Sequence, residues 1–324
     1  MSATVTIPGF VNAHSHTFQR ALRGSHATGD FWHWRDGMLE LADRQTPELV
    51  RDTYLQTYRE MLAAGYTAVG EFHYIGVDEA RAAAAAAEEA EIVFVLLLSA
   101  YERGGLPRFR HESVDAYLEA VETLQSEGIR IGLAPHSVRA CSRAWLEEIG
   151  RYAADSGLVL HVHADEQPRE IEECLAEHGI RPIELLAATG CLGPRTTVVH
   201  ATHATERELD LLAETGTTIC LCPSTEANLG DGFFPALALR DREIGICIGS
   251  DSNVRLDPFE ELREIEWVAR RQERRRGIFR PETLLEFGST HGAAALRLDD
   301  VAAIEVEIAD AASLVFSSGP ESVR

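Results

Sequence analysis

The chain has 324 residues and a formal net charge of −22. That acidity speaks against nucleic acid and anionic membrane surfaces as partners, while leaving room for an anionic substrate held by a few local arginines. A chain this long can bury a full core without staples. Its six cysteines include no C-x-x-C pair, so reduced, buried thiols in a cytoplasmic protein are expected. No basic-then-apolar leader opens the sequence, so no signal peptide is expected. The longest apolar run, residues 92–100, is too short to cross a bilayer.

Short β-rich runs alternate with helical stretches. Residues 5–12 read as a first strand running into His14-Ser15-His16. Residues 46–64 carry helix signals at both ends: Thr46 can cap, Pro47 suits the first turn and Gly65 follows the last. Strand 66–72, the alanine-rich helix 77–90 and the apolar strand 92–98 come next. Helix 113–126, strand 131–134, helix 142–155 and strand 158–163 continue the alternation. Helices 168–178 and 182–188 precede strand 197–199, helix 205–214, and strands 217–221 and 244–248. Helices 258–275 and 281–287 complete the series. Eight strands mostly alternating with helices predict an α/β fold, a (β/α)8 TIM-type barrel of about 250 residues. An open doubly wound sheet would place a glycine-rich phosphate loop after its first strand, and the sequence has none there. The barrel is assigned residues 1–295. Residues 296–324, with short strands at 303–308 and 312–317, read as a small C-terminal appendage.

Such a barrel puts its chemistry at the C-terminal ends of the strands. There the sequence places His14 and His16, Glu71 and His73, His136 and Arg139, His163 and Glu166, His200 and His203, and Asp251. Strand alternation sets the two imidazoles of His14-Ser15-His16 on one face, where they can chelate one ion. With His163 and Asp251 they make a set of three imidazoles and one carboxylate. Zinc suits that set, and iron or manganese would also bind.

Pro8-Gly9-Phe10-Val11-Asn12-Ala13-His14-Ser15-His16 resembles the opening metal motif of the amidohydrolase superfamily. His163, His200 and Asp251 fall where that superfamily places its later functional residues, and His163-x-x-Glu166 resembles its deaminase branch. A closer likeness rests on residues 14–21, on Phe31-Trp32-His33-Trp34-Arg35, Gly70-Glu71-Phe72-His73-Tyr74, His136-Ser137-Val138-Arg139 and Val199-His200-Ala201-Thr202-His203, and on residues 222–232. Together these resemble the formiminoglutamate deiminase family over residues 7–295. The resemblance implies one divalent metal, zinc, on His14, His16, His163 and Asp251, because strand four ends in His136 with no bridging lysine nearby. It implies Glu166, His200 and Asp251 as the groups that move protons or orient the attacking water. Gln19, Arg35, Tyr74, His136 and Arg139 would contact a small anionic amino-acid substrate. The implied reaction converts N-formimino-L-glutamate to N-formyl-L-glutamate and ammonia, a step of histidine degradation. The family's β-sandwich is expected here only as a much reduced remnant, and a homodimer is left open.

Plainer roles compete for several of these residues. His73 and His161 read as core histidines; His26, His111, His178 and His291 read as solvated or structural. The Trp32/Trp34 pair reads as packing. The arginines at 270–271 and 274–276 read as a solvated helix face paired with Glu260, Glu261 and Glu264. Cys222 has no evident general base beside it, so a nucleophilic role is set aside. Arg139 reads either as a salt bridge to an acidic loop or, from its place three residues after His136 at a strand end, as a site residue that an anionic substrate would pair with, since burying a lone guanidinium is costly. Three rival functions stand beside the deiminase: a deaminase of a purine, pyrimidine or pterin ring, an amide or ring-opening hydrolase releasing no ammonia, and a catalytically dead binding protein.

Overall fold

The structure, a computed structural model, describes residues 3–25 and 28–308. The strand expected at 312–317 and His26 lie outside the described residues. Ten strands run in chain order: β1 (Ala3–Pro8), β2 (Phe10–Ser15), β3 (Tyr66–His73), β4 (Val93–Ala100), β5 (Ile131–Pro135), β6 (Leu160–Ala164), β7 (Thr196–His200), β8 (Thr218–Leu221), β9 (Ile246–Ile248) and β10 (Ala303–Ile308). β2 to β9 form one eight-stranded sheet in sequential order, each neighbouring pair parallel. The sheet closes on itself where Ser15 bridges Asp251. The Asp251 N–H donates to the His14 carbonyl (3.0 Å) and the His16 N–H to the Asp251 carbonyl (2.8 Å). The fold is therefore the (β/α)8 barrel.

Local chemistry explains most of the helices between the strands. In Pro47–Ala64 the Thr46 side chain accepts from the Leu49 N–H, and Gly65 takes the left-handed conformation that ends the helix. Ser113, Ser142 and Thr205 cap Val114–Ser126, Arg143–Ser156 and Glu206–Thr215 in the same way. Strands buried on both faces read as continuous apolar runs, as in Val95 to Leu98.

The elements differ from the expectation in several places, among them the helices Pro223–Leu229 and Ala236–Asp241, which were not expected between the last two barrel strands. Residues 5–12 are not one strand. β1 pairs antiparallel with β10 in a separate two-stranded sheet, and the barrel begins only at β2. The break falls at Gly9, whose N–H donates to the Ala302 carbonyl (2.7 Å). A Cβ there would sit 2.5 Å from that same oxygen and collide with Thr67. Helix Phe31–Asp43 was also missed, although Asp30 caps it and Phe31, Trp34 and Met38 form its buried stripe.

On the late helix Pro258–Glu273, Glu264 pairs with Arg271 as expected. Glu260 instead pairs with Arg255, Glu261 accepts from Ser224, and Glu266 takes Arg270. The Glu266–Arg270 pair follows helical i,i+4 spacing, whereas Arg255 and Ser224 reach Glu260 and Glu261 from outside the helix, which that spacing does not show.

Candidate active site

Strand ends deliver the polar residues to one rim. His14 lies in β2 and His16 directly after it; His163 is in β6, His200 ends β7, and Asp251 follows β9. Three ring nitrogens and one carboxylate oxygen converge. His163 Nε2 lies 3.1 Å from His14 Nε2 and 3.3 Å from His16 Nε2, while Asp251 Oδ1 is 3.4 Å and 3.3 Å from the same two nitrogens. The four ligand atoms all lie within 4.8 Å of one another.

The second nitrogen of two rings settles what those contacts are. His16 Nδ1 donates to the Phe72 carbonyl (2.8 Å) and His163 Nδ1 to the His136 carbonyl (2.9 Å). Their Nε2 atoms then carry lone pairs, and lone pairs at this separation repel unless a cation lies between them. A tetrahedron with metal bonds of roughly 2.0–2.1 Å has edges near 3.3 Å, and the four contacts above, at 3.1–3.4 Å, match that spacing. Protonation agrees. Burial pushes His14 down to about 3 and lowers His16 and His163. Burial works against the charge on Asp251, but His14, His16 and His200 outweigh it and hold the carboxylate below its usual range. Neutral imidazoles and an ionised carboxylate are what a divalent cation requires.

A cavity of about 250 Å³ opens over this cluster. Gln19, Arg35, Tyr74, His136, Arg139, Glu166 and His200 line it together with His16, His163 and Asp251. His14 and the strand-end residues Glu71, His73 and His203 do not reach its wall. Gln19 donates to the Tyr74 hydroxyl (2.9 Å), and its Oε1 is buried without a partner. His136 Nδ1 faces Ser137 Oγ at 3.1 Å. Burial lowers the His136 pKa, and Arg139 adds to the effect.

Glu166 and His200 face each other. His200 Nε2 is 3.8 Å from Glu166 Oε1 and 4.0 Å from Asp251 Oδ2. Burial disfavours the charged ring, but Glu166, Glu226 and Asp251 outweigh it and raise His200 to about 10. Burial raises Glu166 in spite of His200 and Arg139. A buried carboxyl with a raised pKa that shares charge with a neighbouring imidazole is placed to exchange a proton with a substrate nitrogen.

Arg139 lines the cavity and also makes ion pairs, with Nη2 3.4 Å from Glu166 Oε2 and Nε 4.0 Å from Glu170 Oε1. Arg35 is the cavity arginine that makes no ion pair among the described residues; its guanidinium carbon lies 5.9 Å from the Trp32 ring centre. Both tryptophans line the cavity: Trp34 is also packed into the core, and Trp32 carries Arg169 stacked on it at 4.4 Å. Arg169 extends from the helix after β6, across the barrel mouth from the helix that carries Trp32.

The partners of two carboxylates of this region were not legible in the sequence. Glu226 Oε1 lies 3.3 Å from His200 Nδ1. Glu71, already noted at the β3 end, accepts from the Thr17 N–H (2.8 Å) and the Thr17 hydroxyl, pinning the turn after His16. Neither partnership has a signal in sequence spacing. His73 and His161 are structural, bonded to the Gly76 and Ala295 carbonyls (3.1 and 3.2 Å). Burial raises the Cys222 thiol, which leaves it a poor nucleophile.

Residues 5–317 match the model of the amidohydrolase family. The chain belongs to that family. This amidohydrolase is 38% identical over 299 residues to formimidoylglutamate deiminase of Pseudomonas aeruginosa, a match covering 83% of this chain and 66% of the relative. It is 30% identical over 316 residues to 5-methylthioadenosine/S-adenosylhomocysteine deaminase of Nitratidesulfovibrio vulgaris, covering 94% and 70%. The chain thus spans about two thirds of the length of these relatives. Among solved structures, an adenosine deaminase from Xanthomonas campestris with bound zinc superposes with a TM-score of 0.90 at 26% identity, covering 99% of this chain and 78% of that one. No helix among the described residues is long and apolar enough to cross a membrane.

Proposed function

We propose that this amidohydrolase is a metal-dependent deiminase that hydrolyses N-formimino-L-glutamate to N-formyl-L-glutamate and ammonia. The observation that carries the reading is the placement of two guanidinium groups, Arg35 and Arg139, in the same small cavity as the converging His/Asp cluster and Glu166. Its likeness to the formimidoylglutamate deiminase supports the substrate. Arginine suits it because the planar fork accepts a carboxylate through two parallel hydrogen bonds.

His14, His16, His163 and Asp251 would hold the ion. Bound there, a divalent metal supplies Lewis acidity that brings the pKa of a water to about 7. Glu166 protonates the imino nitrogen as water adds to the formimino carbon. His200, charged and aimed at the same point, stabilises the negative charge that develops on oxygen. Asp251 takes the water proton toward the departing nitrogen. Ammonia leaves, the carbonyl forms on the same carbon as the hydroxyl proton returns to Glu166, and the N-formyl product and ammonia balance the substrate and water. Arg35, with Gln19 and Tyr74, holds the carboxylate end. Arg139 serves both Glu166 and the substrate.

A second reading, deamination of an adenosine-type ring, is favoured by the methylthioadenosine deaminase relative and by the aromatic wall of Trp32, Tyr74 and Tyr101. The Arg35 guanidinium at the cavity wall, which makes no ion pair among the described residues and would gain little from a neutral ring, disfavours it. Ammonia release from formiminoglutamate, formiminoaspartate, adenosine, methylthioadenosine and guanine decides between them. Turnover of a nucleoside or base, with none of the formimino acids, would overturn the proposal.

A further inference from the structure

We infer that Glu226 is a positioning residue for His200: its carboxylate accepts the Nδ1 proton and so aims Nε2 at the reacting centre. The inference rests on the deiminase reading above, in which His200 acts on the substrate.

His200 needs such a partner. It stands at φ +73°, and Ala201 after it at φ +52°. Two consecutive non-glycine residues in the left-handed region turn the chain sharply at the end of β7, a conformation kept only where surroundings impose it. Beyond that point strand alternation no longer dictates where the side chain faces. The His163 ring stacks on His200 with centroids 5.6 Å apart and planes 24° from parallel. Stacking fixes the plane of an imidazole but not which edge faces the cavity, because a half-turn about the outer side-chain bond leaves the plane unchanged. The two orientations present different atoms to Glu166 and Asp251.

Glu226 removes that ambiguity. It lies in the first turn of the helix Pro223–Leu229 after β8 and is buried. The backbone N–H of Cys222 donates to its Oε1 (3.0 Å), so the carboxylate is held in place independently of the imidazole. That same oxygen lies 3.3 Å from His200 Nδ1, and His200 is its one ion-pair partner among the described residues. With Nδ1 committed there, Nε2 is the nitrogen directed at Glu166 and Asp251. Hydrogen bonds that fix the far nitrogen of a working histidine are a general device for orienting it.

The test compares wild type, Glu226→Gln and Glu226→Ala as zinc-loaded proteins. It uses ammonia release from formiminoglutamate, metal content, and ¹⁵N-histidine NMR with the His200 signals assigned through His200→Gln. Gln keeps an oxygen acceptor where Ala keeps none. In Glu226→Ala, kcat should fall about 100-fold with KM and metal content held, the scale of a mispositioned acid–base group. The hydrogen-bonded Nδ1–H resonance of His200 should be lost. Glu226→Gln should retain that resonance and recover at least about tenfold of the rate. A kcat in Glu226→Ala close to wild type, a loss that follows lost metal, an unchanged resonance, or a Gln variant no better than Ala would each overturn the inference. The resonance needs no substrate. If it behaves as stated while wild type fails on formimino acids, Glu226 stands and the substrate assignment falls.

Discussion

His163 makes the two imidazole contacts of 3.1 and 3.3 Å in the metal cluster, so its removal deletes the vertex that ties His14 to His16. His163→Ala should lower the divalent ion content well below one per chain, because three remaining ligands seldom hold zinc firmly; elemental analysis of the purified variant reads this directly, and unchanged content would contradict it. Glu166→Gln keeps the shape and removes the proton donor. Turnover should fall by at least about 100-fold with the metal retained, and near-normal turnover would make Glu166 structural. The two arginines should separate kinetically. Arg35, which makes no ion pair among the described residues, contributes to binding, so Arg35→Met should raise KM by roughly 10- to 100-fold, the worth of a charge-assisted contact. Arg139 is paired with Glu166, so Arg139→Met should lower kcat as well. Identical kinetic signatures for the two variants would refute this division.

Between residues and barrel stand the elements that carry them. β2 brings two ligands to the rim only because the chain breaks cleanly at Gly9, where β1 leaves for its own sheet. A side chain at Gly9 would press on the Ala302 carbonyl and on Thr67. Gly9→Val should therefore cost about 1–3 kcal/mol of stability, the usual cost of overpacking. Denaturant unfolding checks it, and a variant as stable as wild type would show that the break is not sterically enforced. The helix Phe31–Asp43 has a comparable part, since it brings Trp32 and Arg35 to the cavity. Its cap and apolar stripe were legible from Asp30, Phe31, Trp34 and Met38. The stacking of Arg169 on Trp32 was not, because it joins helices more than a hundred residues apart in sequence.

Across the whole molecule, buried groups that retain protons set the pH response. Burial pushes Glu71 and Glu261 up to about 8 from the ordinary 4.5, against hydrogen bonds from Thr17 and Ser224. His200 rises from 6.5 to about 10, where carboxylates outweigh its burial. Each holds a proton in the folded chain after the unfolded chain has released it. Their contributions are therefore lost as pH rises, from 4.5 through about 8 for the carboxyls and from 6.5 through about 10 for His200. His14, His73 and His161, lowered by burial to about 3, 4 and 4, act oppositely, and only below 6.5. Above neutrality the falling contributions remain alone, at about 1.4 kcal/mol per pH unit for each retained proton. The Tm of metal-free protein should fall between pH 7 and 8, and Glu261→Gln should flatten the slope. A Tm that rises over this range would contradict the assignment.

The strand-end rule made the His14, His16, His163 and Asp251 cluster legible in one dimension, because strand periodicity and the barrel's polarity are local properties repeated eight times. The same rule placed His136, Arg139, Glu166 and His200 at the rim, whereas Gln19, Arg35 and Tyr74 were legible only through the family resemblance. Pairing was another matter. That Arg139 meets Glu166 and Glu170, that Glu226 lies behind His200, that Thr17 rests on Glu71 and that β1 pairs with β10 all depend on residues far apart in the chain. Sequence by itself determined which side chains reach the rim, since a strand dictates its own facing. Only the closed barrel decided which of them touch, since contact depends on the register and curvature of strands that the sequence keeps apart.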